Sequence, residues 1–363
     1  MKPAATGFNR HGELALITGG AGFVATNIAD RLVREGGKVR LFDNLSRPGV
    51  EQNVRWLKAN YGDRVELIVG DVRDPAALRT AVRGVHRVFH FAAQVAVTTS
   101  LQDPVTDFEV NARGTLNLLE AIRALANPPT TLFTSTNKVY GNLEDVGLHQ
   151  MESRYAPSDP RIARRGISER RPLDFHSPYG CSKGSAEQYV LDYARTFSLP
   201  ATVFRMSCVY GPHQFGTEDQ GWVAHFAIQA MNRRELTLYG DGLQVRDVLF
   251  VEDLADAMLL AHQRIHVTAG EAYNIGGGPD NTVSLLELLE LLHDVAGRRP
   301  SFTVEPWRAA DQRYYVSDVR KFAQATGWRP RVGVREGLER LVAWLDEATV
   351  FAPVLVTGGR VAS

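Results

Sequence analysis

Two short segments hold the residue types that a coupled proton and hydride transfer needs. Residues 134–141 read TSTNKVYG and residues 177–184 read SPYGCSKG. A secondary alcohol is oxidised when a base removes the hydroxyl proton while hydride leaves the same carbon for a nicotinamide. Tyrosine can be that base only as its phenolate, and its ordinary pKa of about 10 keeps it protonated at neutral pH. A neighbouring ammonium favours the phenolate. Tyr179 and Lys183 stand four residues apart, so a helix would put them on one face. Thr136 can both accept and donate a hydrogen bond, which would steer a substrate oxygen towards Tyr179. Such a tyrosine–lysine pair also arises on helices for packing and solubility alone, so its meaning depends on the elements that hold it.

Those elements are legible in the order of the chain. Short apolar runs (ELALIT, KVRLF, VELIVG, HRVFHFA, TLFTST, ATVFR) alternate with stretches of helical period at 22–36, 51–60, 75–83, 105–126 and 179–197. The alternation predicts an α/β fold, a doubly wound parallel sheet over 12–204. Thr136 then ends the fifth strand, on the side where open parallel sheets bind ligands. Strands near 244–276 are expected to join this sheet. Segments 205–243 and 277–349 are expected to form a smaller, interleaved lobe, and 350–363 a tail without a usable motif. The leucines between Leu285 and Leu292 follow a helical stripe and read as core packing. The Arg-rich connection 142–176 is longer than a compact domain usually leaves without a use, and reads as a lid or a solvated loop.

At the other end of the predicted sheet, ELALITGGAGFVATNIADRLVREGG gives a strand, a glycine turn and a helix. Gly19 and Gly22 would let the backbone approach a pyrophosphate, which the helix N-terminus attracts. Ala25 takes the third small position, where close helix packing is the requirement. Asp43 follows about twenty residues on, at the end of the next strand, where a carboxylate accepts from an adenosine ribose. A 2′-phosphate would be repelled there, so NAD is favoured over NADP despite nearby Arg47. Asp71, opening GDVRD, is a candidate for the adenine edge or a plain turn residue.

Composition narrows the partners. Lys plus Arg and Asp plus Glu both total 41, so no global field favours nucleic acid or an anionic membrane. The polar opening MKPAATGFNRHGE and the lack of any run of about 18 apolar residues lead us to expect a soluble protein. Two cysteines, Cys181 and Cys208, suit a reducing compartment, so the cytoplasm is expected. The ten histidines show no metal-ligand spacing, and no catalytic metal is expected.

TGGAGFV, DNLS, GDVRD, HFAA, NARGTLNLLEA, TSTNKVYG, SPYGCSK and RDVLFVEDLA occur in the order and spacing of the extended short-chain dehydrogenase/reductase family of sugar-nucleotide enzymes, which the chain resembles over nearly its whole length. That resemblance implies a Rossmann domain with a nucleotide-sugar lobe. It gives Thr136, Tyr179 and Lys183 the roles of catalytic hydroxyl, base and lysine. It further implies cofactor contacts from Phe23, Val24, Asn44, Ser46, Arg47, Val72, Ala92, Ala93, Gln94, Asn111 and Lys183. Arg246 and Arg313 match positions that touch substrate phosphates, a task suited to arginine. Thr98, Thr99, Lys138, His176 and Gln220 are further substrate candidates. Gln220 and Trp222 could instead begin and pack a helix, and His176 could cap or pack the helix before Pro178. Two departures stand out: Cys208 lies where many relatives place a substrate-touching Asn, and Ala25 where most have glycine. Frequent dimers among relatives lead us to expect a homo-oligomer.

The family's 4,6-dehydratases carry Asp and Glu directly after the threonine, because eliminating water needs a further acid and base. Asn137 and Lys138 stand there instead, which leaves oxidation and re-reduction as the expected task. Longer stretches, including FDNLSRPGVEQNVRWL, DFHSPYGCSKGSAEQYVLDYAR and FGTEDQGWVAHF, resemble the branch that epimerises CDP-linked sugars at C2. An epimerase acting at C4, or on a UDP or GDP sugar, would need the same hydride-transfer residues. A nonenzymatic NAD-binding scaffold is the remaining alternative, since fold alone does not fix function.

Overall fold

The structure, a computed structural model, describes residues 12–297 and 299–351. Five strands in the first 136 residues, β1 (Leu14–Thr18), β2 (Lys38–Asp43), β3 (Val65–Val69), β4 (Arg87–His90) and β5 (Thr130–Thr136), belong to one parallel sheet. Ala201–Met206 and Ala272–Ile275 complete it beyond β5, all in parallel. The order runs β3, β2, β1, β4, β5, Ala201–Met206, Ala272–Ile275, so the winding reverses between β1 and β4. That reversal opens a crevice at the carboxyl ends of the strands. Helices bury both faces, which is why β1 and β5 are apolar or buried almost throughout. One side packs Ile28 and Leu32 of helix Phe23–Arg34 with Met258 of helix Val251–Gln263. The other packs Leu118 and Ile122 of helix Gly114–Arg123 with Val190 of helix Ser177–Thr196. Each such side chain contributes roughly 1.5–3 kcal/mol by leaving water.

Of the two later strands expected in this sheet, Ala272–Ile275 forms its edge, but Val245–Phe250 does not join it. It pairs instead with Cys208–Tyr210, Thr282–Ser284 and Tyr314–Tyr315. The reason lies at Ser207, between Met206 in one sheet and Cys208 in the other. Its N–H donates to Ile275 O at 2.9 Å while its hydroxyl donates to Asp247 O at 2.9 Å. The chain thus passes from one sheet to the next within a residue. Helix Leu285–Ala296 covers the smaller sheet, started by a reciprocal cap between Ser284 and Glu287. Leu288, Leu289 and Leu292 are fully buried in this lobe.

The 142–176 connection is neither a lid over the crevice nor a loose loop. It forms a hairpin (Leu148–Gln150 with Tyr155–Pro157) and a short helix, Pro160–Arg165. Leu143, Val146 and Ile167 bury against Tyr140 and Tyr315, and Arg154 pairs with Glu287 of the lobe. Apolar anchors at both ends of the segment fix it away from the crevice. Helix Val334–Phe351 runs through the first residues of the expected tail, whose remainder, 352–363, lies outside the described residues.

Candidate active site

The crevice is a cleft of about 750 Å³ running from the end of β2, past the end of β5, into the lobe. Gly19 sits at φ 66°, and a Cβ there would lie 2.7 Å from Ala92 N, so the turn closes against β4 only with glycine. Gly22 caps helix Phe23–Arg34 without any side-chain hydrogen bond, and the first turn carries no acidic residue. The open N–H groups and the positive end of the helix therefore face the cleft, which Gly19, Gly22, Phe23, Val24 and Ala25 line. Asp43 accepts from Ala21 N (3.0 Å) and Leu45 N (2.8 Å), one bond to each oxygen. Both bonds orient the carboxylate and leave lone pairs for ribose hydroxyls.

Asn44, Ser46, Arg47, Asp71 and Val72 line the same end. The Arg73 guanidinium, with Asn44 behind it, holds the Asp71 carboxyl well below the usual range. Ala92, Ala93 and Gln94 continue the wall after β4. A donor-rich helix start at the middle and a fixed carboxylate at one end fit a dinucleotide pyrophosphate and its ribose. Asn111 does not line the cleft. It is buried in a π-turn, Glu109–Arg113, and its amide clamps Gln94 through the Gln94 N–H (2.9 Å) and C=O (3.1 Å). Its influence on a cofactor passes through the Gln94 loop.

At the reactive end, Thr136 closes β5 and Tyr179 lies in the first turn of helix Ser177–Thr196, its N–H held by Ser100 Oγ at 3.2 Å. The Thr136 hydroxyl, which donates to Asn137 Oδ1 at 3.3 Å, also acts on the Tyr179 phenol and favours its ionisation. One turn on, Lys183 is buried with Nζ 4.3 Å from the Phe133 ring centroid. The electrostatics differ from the sequence expectation. Burial pushes the Tyr179 phenol up to about 12, against which only the Thr136 hydroxyl acts. Burial also pushes Lys183 down to about 7, opposed by the charges of Asp107 and Glu187. Desolvation of both partners outweighs the attraction expected between ammonium and phenolate.

On the lobe side, Thr98, Lys138, Gln220 and Arg246 line the cleft. Thr98 donates to Asp219 at 3.1 Å, joining the two walls. Lys138 Nζ donates to Ala310 O at 3.0 Å, and burial pushes it down to about 8. Arg246 donates to Asp311 Oδ1 at 2.7 Å. Asn137 is spent on Gln312 Oε1 (3.0 Å), consistent with no acid function at that place. Cys208 faces the cleft and accepts from Trp222 Nε1 at 3.3 Å, which ties Trp222 to the cleft wall.

Thr99, His176 and Arg313 do not line it. His176 pairs with Asp174 ahead of the helix, and the exposed Arg313 lies over Trp307 (5.4 Å) and Tyr155 (5.7 Å). The segment's cleft-facing cation is Arg308, five residues earlier, which pairs with Glu218 (2.9 Å) and covers the Tyr239 ring at 3.7 Å. Arg308 and Asp311 went unread in the sequence. The available signal was that Arg313 directly precedes the buried strand Tyr314–Tyr315, whereas Arg308 and Asp311 stand in the polar loop before it.

Among the described residues no group of His, Cys, Asp or Glu could hold a metal ion, and no helix is long and apolar enough to cross a membrane. A cofactor reaching from Asp43 to Tyr179 is what uses both ends of this cleft, which makes the chain a dinucleotide-dependent enzyme acting on an alcohol or its ketone. The chain belongs to the NAD dependent epimerase/dehydratase family, whose model matches residues 15–276. It is 43% identical over 336 residues to the CDP-paratose 2-epimerase of Salmonella typhi, covering 91% of this chain and 98% of that protein. The UDP-glucose 4-epimerase of Thermus thermophilus in complex with NAD is 33% identical, with 92% of this chain and 99% of that one covered and a TM-score of 0.77. DesIV, the dTDP-glucose 4,6-dehydratase of Streptomyces venezuelae solved with NAD, is 28% identical, with 94% and 99% covered and a TM-score of 0.79. The cofactor of this cleft is accordingly NAD.

Proposed function

We propose that the protein epimerises a CDP-linked sugar at C2, converting CDP-paratose to CDP-tyvelose. The observation that carries the reading is the grouping of Thr136, Tyr179 and Lys183 beside the dinucleotide end, with Asn137 and Lys138 where a dehydratase needs its carboxylates. The 43% identity to a CDP-paratose 2-epimerase supports the choice of sugar and carbon. Bound NAD would supply a reversible hydride acceptor, so that C2 is oxidised to a transient ketone and reduced again from its other face without net redox change. Tyr179 removes the C2 hydroxyl proton and later returns one, while Thr136 orients that oxygen. Lys183 contributes its charge to both the cofactor and the phenolate. Arg246 and Arg308 take the diphosphate, and Lys138, Gln220 and Thr98 the rest of the ligand.

The shared hydride-transfer residues keep a C4 epimerase, or one acting on UDP or GDP sugars, as the second reading, supported by the likeness to UDP-glucose 4-epimerase. Separate incubation with CDP-, UDP- and GDP-sugars without added NAD, read by NMR, distinguishes them. Only the CDP-sugar should turn over, with inversion at C2. Label at C2 in deuterated substrate should be retained, and its exchange with solvent would sink the hydride mechanism. We further infer a cytoplasmic homo-oligomer. Its contact face would be the packed helices that expose Leu101, Val105, Phe108 and Tyr189.

A further inference from the structure

Behind the reactive helix lies a carboxylate that the mechanism above does not use. Asp107 ends helix Pro104–Phe108 and is completely buried. One oxygen accepts from Asn111 Nδ2 at 3.1 Å, and the other has no hydrogen-bond partner. The same Asn111 amide donates to the hydroxyl of Ser182 at 3.0 Å, the residue directly before Lys183. An ionised carboxylate buried with one oxygen unpaired is costly unless a cation shares its surroundings. The groups facing Lys183 are few. Its own helix presents Tyr179 and Glu187, β4 presents His90, β5 presents Phe133, and the 104–113 segment presents Asp107. His90 is neutral, with burial pushing it down to about 3. Glu187 already binds the buried Arg205, whose Nε donates to it at 2.9 Å. Asp107 is therefore the facing carboxylate with no cation in contact.

We propose that Asp107 is a positioning residue of the reactive centre: its carboxylate is the counter-charge that keeps the proton on Lys183. A charged Lys183 is what the proposed mechanism needs beside the cofactor and the phenolate. Asp107 is the first charge acting on Lys183, which it pushes up, and the same charge also pushes the Tyr179 phenol up. The geometry ties that charge to the lysine, because the Asn111 amide that binds Asp107 also binds Ser182, the residue directly before Lys183. Asn111 links this device to the cofactor wall, because one amide holds Asp107, Ser182 and Gln94 together.

The chain contains six lysines, so the Lys183 Nζ signal can be followed by NMR in NAD-loaded, lysine-labelled protein. In Asp107→Asn the Lys183 titration midpoint should fall by about one pH unit, as expected for loss of a nearby opposite charge. Asp107→Glu should restore it. The alkaline limb of CDP-paratose turnover should move down with the midpoint. A midpoint unmoved in folded Asp107→Asn overturns the proposal, whatever happens to the rate. Should that variant fail to fold, Asp107→Ser is read in the same way. In the unaltered protein the Asp107 carboxyl carbon should register the Lys183 titration and lose that step in Lys183→Met; its silence would also overturn the proposal. The inference rests on the proposed reading only for the sugar used. A shifted midpoint without CDP-paratose turnover would sink the substrate assignment and leave Asp107 standing.

Discussion

The two ends of the cleft are built on different principles. At the cofactor end the backbone does most of the binding: a glycine turn closed on Ala92, a bare helix start, and an aspartate aimed by the N–H of Ala21 in the glycine turn and of Leu45 in its own loop. Most of these residues belong to one strand–turn–helix–strand unit, with Ala92 added from the end of β4. At the sugar end side chains meet partners on remote segments: Arg246 on Asp311, Lys138 on the Ala310 carbonyl, Arg308 on Glu218, Thr98 on Asp219. A ligand must displace or join these pairs. The first end is preformed for one cofactor, and the second can be retuned for different sugars by exchanging single charges.

Four experiments would break or sharpen this contrast. The largest effect belongs to the point where the ends meet: Tyr179→Phe should lower turnover by about 10³-fold while NAD stays bound, since general base catalysis is worth roughly 10²–10⁴-fold. Equal activity would remove the assigned base. Next, Gly19→Ala should cost the cofactor end about 1–3 kcal/mol through strain at positive φ and collision with Ala92. It should appear as protein purified without NAD, with overall folding retained in circular dichroism. At the sugar end, Arg246→Met or Arg308→Met should raise KM by about 10–100-fold with NAD binding unchanged, in line with about 1.5–3 kcal/mol for a charged hydrogen bond. Arg313→Ala should leave KM within about twofold, and a larger change would return it to the site.

A further test lies beneath the cofactor end, where His90 and His262 are buried and pushed down to about 3 from an ordinary 6.5. Between those values the unfolded chain binds more protons than the folded one. Stability should therefore fall as pH drops through that window, by about 1.4 kcal/mol per unit for each histidine. Thermal melts of His262→Leu should show about half the slope contributed by the pair. An unchanged slope would mean that His262 is not held neutral in solution.

Much of this architecture was readable beforehand because its signals are local. The apolar runs of β1 to β5 alternate with helical stretches, and Gly19, Gly22 and Asp43 sit at fixed intervals within one strand–helix–strand unit. Thr136, Tyr179 and Lys183 were legible for the same reason: a strand end and one helical turn place them. What escaped was set by tertiary packing. Val245–Phe250 reads like any buried strand, and only the passage at Ser207 assigns it to the second sheet. Arg313 and Arg308 are equally cationic in sequence, but the buried pair Tyr314–Tyr315 decides which of them reaches the cleft. The surroundings of Lys183, with the Phe133 ring beside it and the Asp107 charge opposing its desolvation, come from residues more than forty positions away.

Ser207 has one more consequence. Because a single residue stitches the edge strand of the large sheet, at Ile275, to the interior strand of the smaller one, at Asp247, the cofactor half and the sugar half have no slack hinge between them at that seam. Prising them apart there would break both bonds at once. In the proposed reaction a carbon presents first one face and then its opposite to a stationary hydride donor, and a seam without slack at Ser207 would leave that pirouette to the sugar ring.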